Sequence, residues 1–259
     1  MTRGLDFLLP IFMFLIGTVI GSFSNVCIYR IPRKISIIFP PSNCPTCGRE
    51  INPLDNIPII SFIILHGKCR NCQSPILWRY PIVEILIGVI YLFLYLNFHL
   101  SSKFFMYALL CPSLVIIAFI DIEHKIIPDT ITLPGMVIGL TTSILLPHIT
   151  VLNSLKGLLT GGGLFYFIAI LSRRGMGGGD IKLIAMIGSF LGWKMTLLTI
   201  FLGSLIGSLG GIILIILRKK GRKDTIPFGP FLSLGAILSI FFGRDIIYLW
   251  LTITFGRDF

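Results

Sequence analysis

Long stretches without charged residues recur along the whole chain, and they constrain its fold more than any other feature. A helix needs roughly 20 apolar residues to cross the hydrocarbon core of a bilayer, which is about 30 Å thick. Hydrophobic residues make up 54% of the 259 residues and charged residues only 13%, whereas about a quarter of a soluble domain is charged. The composition therefore excludes a soluble globular domain. It also excludes a disordered chain, because disorder requires low hydrophobicity.

Eight of these stretches predict an all-α polytopic membrane protein with about eight transmembrane helices. The sixth is too short to cross alone, so we expect help from tilt, from neighbouring helices or from flanking glycines. The first is too long for the apolar part of a signal peptide, and one basic residue, Arg3, precedes it, so it is interpreted as a span. The predicted spans cover residues 7–29, 80–98, 104–120, 135–146, 157–172, 181–193, 195–217, and 228–242 or somewhat beyond.

Basic residues are concentrated in one of two alternating sets of loops, which holds 16 of the 22 Lys and Arg residues. Because basic loops are retained in the cytoplasm, this distribution predicts these loops inside and both termini outside. The net charge of +11 is therefore interpreted as the topology signal of a protein in a lipid bilayer, and not as a nucleic-acid-binding surface. The basic loops are residues 30–79 (the Cys loop), 121–134, 173–182 and 218–230, the last with a basic run at 218–223.

Two Cys-x-x-Cys pairs lie in the Cys loop, at Cys44, Cys47, Cys69 and Cys72. Two residues between thiolates allow each pair to hold one side of a tetrahedral zinc ion. Two disulfides are the alternative, but they would need an oxidising compartment, and this loop is predicted to be cytoplasmic. With four sulfur ligands no position remains for water, so the zinc is expected to be structural.

Two carboxylates lie at predicted boundaries between a span and the cytoplasm. Asp121 follows the third span, and Asp180 precedes the sixth. Ionisable groups at such boundaries usually face a protein interior or a wet cleft. Two carboxylates in one cleft share a proton, so that one acts as an acid while the other activates water, as in aspartic proteases. The alternative is that both only cap the N-termini of helices.

Three glycines, Gly177, Gly178 and Gly179, directly precede Asp180. Residues without a β-carbon permit positive φ angles and the close approach of another chain. The three glycines therefore suit the binding of an extended peptide substrate, although a flexible loop without a function would have the same sequence.

A series of short motifs occurs in a fixed order along the chain. They are GSFSNVCIYRIP (21–32), CPTCG (44–48), DNIP (55–58), GKCRNC (67–72), RYPIVE (79–84), Asp121 with IPD (127–129), GGGD (177–180) and IPFGPF (226–231). In this order they resemble the motifs of the type IV prepilin leader peptidases, which are eight-span membrane aspartic endopeptidases of the GxGD class.

The resemblance implies an enzyme of the bacterial inner membrane that removes the basic leader of type IV pilus prepilins or type II secretion pseudopilins. Its catalytic acids would be Asp121 and Asp180, with Asp129 as the rival for the first. Members with a double Cys-x-x-Cys loop also methylate the new N-terminal amine with S-adenosylmethionine. We expect a first helix at 1–29, a methylation-associated loop at 30–80 and a peptidase core at 81–259.

Charge suggests where a basic leader would bind. The stretch 121–129 carries three acids and only Lys125, whereas the cytoplasmic loops as a whole are basic. Glu123 and Asp129 are therefore expected to attract the leader. Glu84 is interpreted as a helix N-terminal acid paired with Arg79, with a role in methyl transfer as the alternative.

A transporter or channel with a zinc-stabilised cytoplasmic docking loop is the alternative function. Glycines, broken helices and acids inside the membrane would suit it. The interiors of the predicted spans are almost free of charge, however, and the acids gather at one boundary. This distribution favours the peptidase.

Overall fold

The computed structural model describes residues 2–146, 149–172, 177–216 and 226–255. Apart from two isolated bridges, these residues form helices, turns and loops, so the predicted all-α class is confirmed. A 3-10 turn covers Pro53–Asn56. The α-helices are α1 (Thr2–Arg30), α2 (Ile60–Ile64), α3 (Arg79–Phe98), α4 (Ser102–His124), α5 (Asp129–Leu145), α6 (Val151–Leu171), α7 (Gly178–Leu191), α8 (Trp193–Ile216) and α9 (Gly229–Phe255).

Six of the described helices are long and apolar enough to cross a membrane, which confirms a multi-span membrane protein. These candidate spans are Leu8–Arg30, Arg79–Phe98, Ser102–His124, Val151–Leu171, Trp193–Ile213 and Gly229–Thr254. The helices at the other two predicted spans are shorter, with 17 residues in α5 and 14 in α7. The count of eight spans is therefore not established by helix length.

Several helices continue past the charged residues at which the predicted spans end. Helix α4 includes Asp121 and ends at His124, and α9 runs through Arg244 and Asp245. Helix α5 begins at Asp129, directly after Pro128, because a proline fixes a backbone angle that suits the start of a helix. The basic run at 218–223 lies outside the described residues.

The chain divides into two compact units, residues 1–116 and 117–259. In the first unit, α1 packs along α3 through small residues. A β-carbon on Gly17 would lie 2.8 Å from Cα of Gly88, and one on Gly21 would lie 2.6 Å from Cα of Glu84. Glycines at these positions therefore let the two helix backbones come close, as is common between membrane helices.

Helix α7 lies at the centre of the second unit. All of its residues from Leu183 to Leu191 are buried, and it packs against α5, α6, α8 and α9. Helix α6 approaches closely at Gly161, where a β-carbon would lie 2.7 Å from the carbonyl oxygen of Ile184. Neighbouring helices thus enclose the short helix, which is one of the three kinds of help expected from the sequence.

Candidate active site and metal centre

Asp121 lies in the last turn of α4, and only 5% of it is exposed. Its Oδ2 accepts a hydrogen bond of 2.9 Å from the backbone N–H of Gly229, the first residue of α9. The first N–H groups of a helix have no partner within the helix and carry positive partial charge. A β-carbon on residue 229 would lie 2.7 Å from this oxygen, so any larger residue there would displace either the carboxylate or the start of α9.

Asp180 is the third residue of α7, ahead of the apolar part of that helix. Its Oδ1 is buried and has no hydrogen-bond partner in the part of the chain that the structure describes. Burial, and then the negative charge of Asp121, raise the pKa of Asp180 to about 6. The two aspartates are therefore close enough to influence each other's protonation.

The side chain of Ile127 packs against the backbone beside both aspartates. A β-carbon on Gly179 would lie 2.8 Å from Cβ of Ile127, and one on Gly229 would lie 3.3 Å from its Cδ1. Ile127 thus lies between the glycine before Asp180 and the glycine that binds Asp121. Three separate sequence motifs meet at this residue.

Asp121 does not cap the N-terminus of its own helix, although its carboxylate binds the first N–H of α9, and the position of Asp180 is compatible with the helix-capping interpretation. Asp121 lies at the C-terminal end of α4, where the helix dipole disfavours a negative charge. Asp180 lies in the first turn of α7, where a carboxylate is favoured, but the N-cap residue is Gly177.

The three glycines before Asp180 do not use positive φ angles. Gly177 has φ −73°, and Gly178 and Gly179 are helical. Among the glycines that the structure describes, positive φ occurs at other positions, so the positive φ that glycine permits is not used before Asp180. Gly179 approaches Ile127 closely, and a β-carbon on Gly177 would lie 3.3 Å from Oδ2 of Asp180, whereas one on Gly178 would meet nothing within 4 Å.

The acids expected to attract a basic leader lie on the surface. Asp129 is exposed, and both of its carboxylate oxygens accept hydrogen bonds from Nζ of Lys182, at 2.8 and 2.7 Å. This ion pair joins the start of α5 to α7. Glu123 is exposed, and its Oε2 lies 4.0 Å from Nε2 of His124. Attraction of a leader by Glu123 and Asp129 stays a prediction.

The four cysteines of the two Cys-x-x-Cys pairs come together. Their sulfur atoms all lie within 4.8 Å of one another, and Sγ of Cys44 lies 3.8 Å from Sγ of Cys72. Zinc–sulfur bonds of about 2.3 Å in a tetrahedron place sulfurs about 3.8 Å apart. All four cysteines are free. The cluster therefore has the spacing of a zinc site and not of two disulfides.

Each cysteine pair is held in a similar turn. The N–H of Cys44 donates to the carbonyl of Arg49, and that of Gly48 donates to the carbonyl of Cys44, both at 2.9 Å. The second turn repeats these bonds from Cys69 to Ser74 and from Gln73 to Cys69. Hydrogen bonding to the backbone N–H of Cys47 is the main cause that lowers the pKa of the Cys44 thiol to about 6, whereas the pKa of the Cys47 thiol is raised to about 11. The thiolate is therefore favoured at Cys44 and not at Cys47.

Two family models match successive parts of the chain. The family model described as Bacterial Peptidase A24 N-terminal domain matches residues 15–98, and that of the Type IV leader peptidase family matches residues 108–212. A protein of Pseudomonas aeruginosa called Prepilin leader peptidase/N-methyltransferase is 32% identical over 92% of this chain and 91% of its own length. The chain belongs to the type IV leader peptidase family.

Other members of the type IV leader peptidase family match over similar lengths. Proteins with the same name from Aeromonas hydrophila and Bacillus subtilis are each 32% identical, over 97% and 94% of this chain and 97% and 98% of their own lengths. No solved structure matches the chain. The resemblance inferred from the motifs is confirmed.

Several residues of this family member escaped the sequence analysis. Gly229 was part of a recognised motif, but no sequence pattern links it to Asp121. Gln73 could have been found, because it follows Cys69 by the spacing that separates Gly48 from Cys44. Its φ of 58° matches the 71° of Gly48. The helix N-terminal interpretation of Glu84 is wrong, because it is the sixth residue of α3.

Proposed function

We propose that this chain cleaves the basic leader of type IV prepilins or pseudopilins at the cytoplasmic face of the inner membrane, by aspartic-type hydrolysis. The observation that carries the proposal is the pair Asp121 and Asp180, two half-buried or buried acids whose charges interact within one compact unit. The names of the relatives, which include prepilin leader peptidase, support the same substrate.

The surroundings of the two acids suggest different roles. The N–H of Gly229 can only donate a hydrogen bond, and this bond favours the ionised form of Asp121. With a pKa raised to about 6, Asp180 keeps its proton at pH values where an ordinary aspartate has lost it, and a fraction of it stays protonated near neutral pH. Asp121 is then the base that takes a proton from water, and Asp180 is the acid that gives its proton to the scissile carbonyl oxygen.

The reaction then proceeds through a tetrahedral intermediate. The water oxygen bonds to the carbonyl carbon as its proton passes to Asp121. When the intermediate collapses, the carbon–nitrogen bond breaks and the proton held by Asp121 passes to the leaving amine, while Asp180 regains a proton from the intermediate's hydroxyl group. Both acids return to their starting states.

Substrate binding is proposed for the exposed residues around this pair. Gly177 and Gly178 are exposed, so an extended peptide can approach their backbone. Glu123 and Asp129 would attract the basic leader, with the charge of Asp129 partly matched by Lys182. Salt should weaken this attraction, because the charges lie at the exposed surface.

A structural zinc ion and a second activity are proposed for the Cys loop. The four sulfur atoms would hold the ion and stabilise the two turns. We assign methylation of the new N-terminal amine to residues 30–80 and proteolysis to residues 81–259, with S-adenosylmethionine as the methyl donor. The proposed topology places both termini outside and the catalytic loops in the cytoplasm.

One incubation tests both activities. The purified chain is mixed with a prepilin and labelled S-adenosylmethionine, and the mature product is analysed by mass and by label. Cleavage after the leader together with label on the new N-terminus supports the proposal. An intact substrate would refute the peptidase activity, and a cleaved but unlabelled product would refute only the methylation.

A further inference from the structure

A strained turn precedes α2 in the Cys loop. Ile59 has φ 63° and ψ −52°, and the N–H of Ile60 donates to the carbonyl of Pro58 at 2.6 Å. These angles and this bond define the rare, strained form of the three-residue γ-turn. A β-branched residue with positive φ is a conformational outlier, which persists only where the surrounding structure holds it.

Glu84 of α3 stabilises this strained conformation. Its Oε2 accepts a hydrogen bond of 2.7 Å from the N–H of Ile59, and only 7% of Glu84 is exposed. A buried carboxylate is costly unless hydrogen-bond donors surround it. The backbone of Glu84 itself packs against Gly21 of α1. Glu84 therefore has a fixed position at the contact between α1 and α3, and its hydrogen bond to Ile59 attaches the Cys loop there.

Hydrogen bonds connect the strained turn at Ile59 to the cysteine cluster. The hydroxyl of Ser61 donates to the carbonyls of Leu54 and Ile57 at 3.1 and 2.7 Å, which joins α2 to the 3-10 turn. In that turn, Asp55 accepts two hydrogen bonds from the guanidinium of Arg70, at 2.8 and 2.6 Å. Arg70 directly follows Cys69. A continuous set of bonds therefore runs from α3 to the second cysteine pair.

We propose that Glu84 is a positioning residue for methyl transfer, because it fixes the Cys loop on the membrane helices by holding Ile59 in the strained turn. This inference rests on the proposed methylation. All residues of the connection belong to the compact unit 1–116, whereas Asp121 and Asp180 belong to the other unit. Loss of the hydrogen bond between Glu84 and Ile59 should therefore impair methyl transfer and leave leader cleavage intact.

Substitutions in the full chain separate positioning from simple loss of folding. Glu84→Leu removes the acceptor, and misplacement of the loop should lower kcat/KM for methyl transfer by about tenfold to 100-fold, with cleavage within about twofold of wild type. Glu84→Gln keeps an acceptor oxygen and should lose less. Glu50→Gln, which changes an exposed acid of the same loop, is the matched control and should change neither activity.

A second substitution tests whether the backbone strain at Ile59 is what Glu84 offsets. Glycine adopts positive φ without penalty, so Ile59→Gly added to Glu84→Leu should restore a large part of the lost methyl transfer. Hydrogen exchange of the peptide covering residues 57–65 should be faster in Glu84→Leu than in wild type, and slower again in the double variant.

Three results would overturn the inference. The first is an equal fall of cleavage and methyl transfer in both Glu84 variants. The second is unchanged methyl transfer in Glu84→Leu, and the third is no rescue by Ile59→Gly. If the wild-type chain cleaves the leader but transfers no label, both the proposed methylation and this inference are refuted. If the wild-type chain labels the product and Glu84→Leu labels it equally well, only the inference is refuted.

Discussion

Oδ2 of Asp121 accepts a hydrogen bond of 2.9 Å from the backbone N–H of Gly229, a residue 108 positions further along the chain. The bond joins the last turn of α4 to the first residue of α9. A carboxylate at the C-terminal end of one helix is disfavoured by the dipole of that helix, and the N-terminal N–H of another helix compensates for it. The geometry of this pair leads to the first prediction.

Gly229→Ala should impair cleavage without unfolding the protein. Its β-carbon would lie 2.7 Å from Oδ2 of Asp121, so either the carboxylate or the start of α9 must move. A displacement of this size at the proposed catalytic base is expected to reduce the cleavage rate by about tenfold to 100-fold. The rate is measured with a prepilin substrate in detergent or in nanodiscs.

Gly163→Ala is the matched control for this substitution. A β-carbon at residue 163 of α6 would meet nothing within 4 Å, so this variant should cleave like wild type. Wild-type activity in Gly229→Ala would show that the Gly229 contact does not orient Asp121.

The pH dependence of cleavage should reflect the proton on Asp180. Burial, and the charge of Asp121, raise the pKa of Asp180 to about 6, so this acid keeps its proton at higher pH than an ordinary aspartate. As the pH rises through that value the proton is lost, and with it the proposed acid. The rate of cleavage should therefore fall on the alkaline side, and a rate that keeps rising through this range would contradict the assignment.

Glu123→Lys should weaken the binding of a basic leader. Reversal of an exposed charge in the 121–129 stretch removes an attraction, and salt should screen the effect. The apparent KM should rise more for a basic leader than for one whose lysines and arginines are neutralised. An equal response of both substrates would place leader recognition elsewhere.

The cysteine cluster should contain about one zinc ion per chain. Metal analysis of purified protein checks this, and serine at Cys44 or Cys72 should lower the zinc content. Cys27→Ala, which changes a buried cysteine outside the cluster, is the control and should keep the metal. Zinc-free wild-type protein, or a disulfide between Cys44 and Cys47 in cells, would refute the zinc site.

Local patterns in the sequence were enough to predict the helical fold and the cysteine cluster. The absence of charge over a stretch determines whether it can enter a bilayer, and two residues between cysteines determine whether both can bind one ion. Neither feature depends on distant parts of the chain. Hence these predictions agree with the structure, apart from helix ends such as those of α4 and α9.

Contacts between distant residues could not be predicted in this way. The bond between Asp121 and Gly229 depends on how α4 and α9 pack, which no periodicity in either segment encodes. Ile59 presents the same problem, because its positive φ depends on a carboxylate from α3. The catalytic candidates are evident from the sequence, but the backbone groups that surround them follow from tertiary packing.

The most direct test of the account is leader cleavage by Asp121→Asn and Asp180→Asn. Each variant is assayed beside wild type and Asp129→Asn, with membrane insertion confirmed for all four proteins. Because water activation and proton donation need both acids, each of the first two variants should lose cleavage by about a thousandfold or more. Asp129→Asn should keep its kcat, and its effect should be confined to a raised KM for a basic leader. Normal cleavage by Asp121→Asn or by Asp180→Asn would contradict the proposed active site.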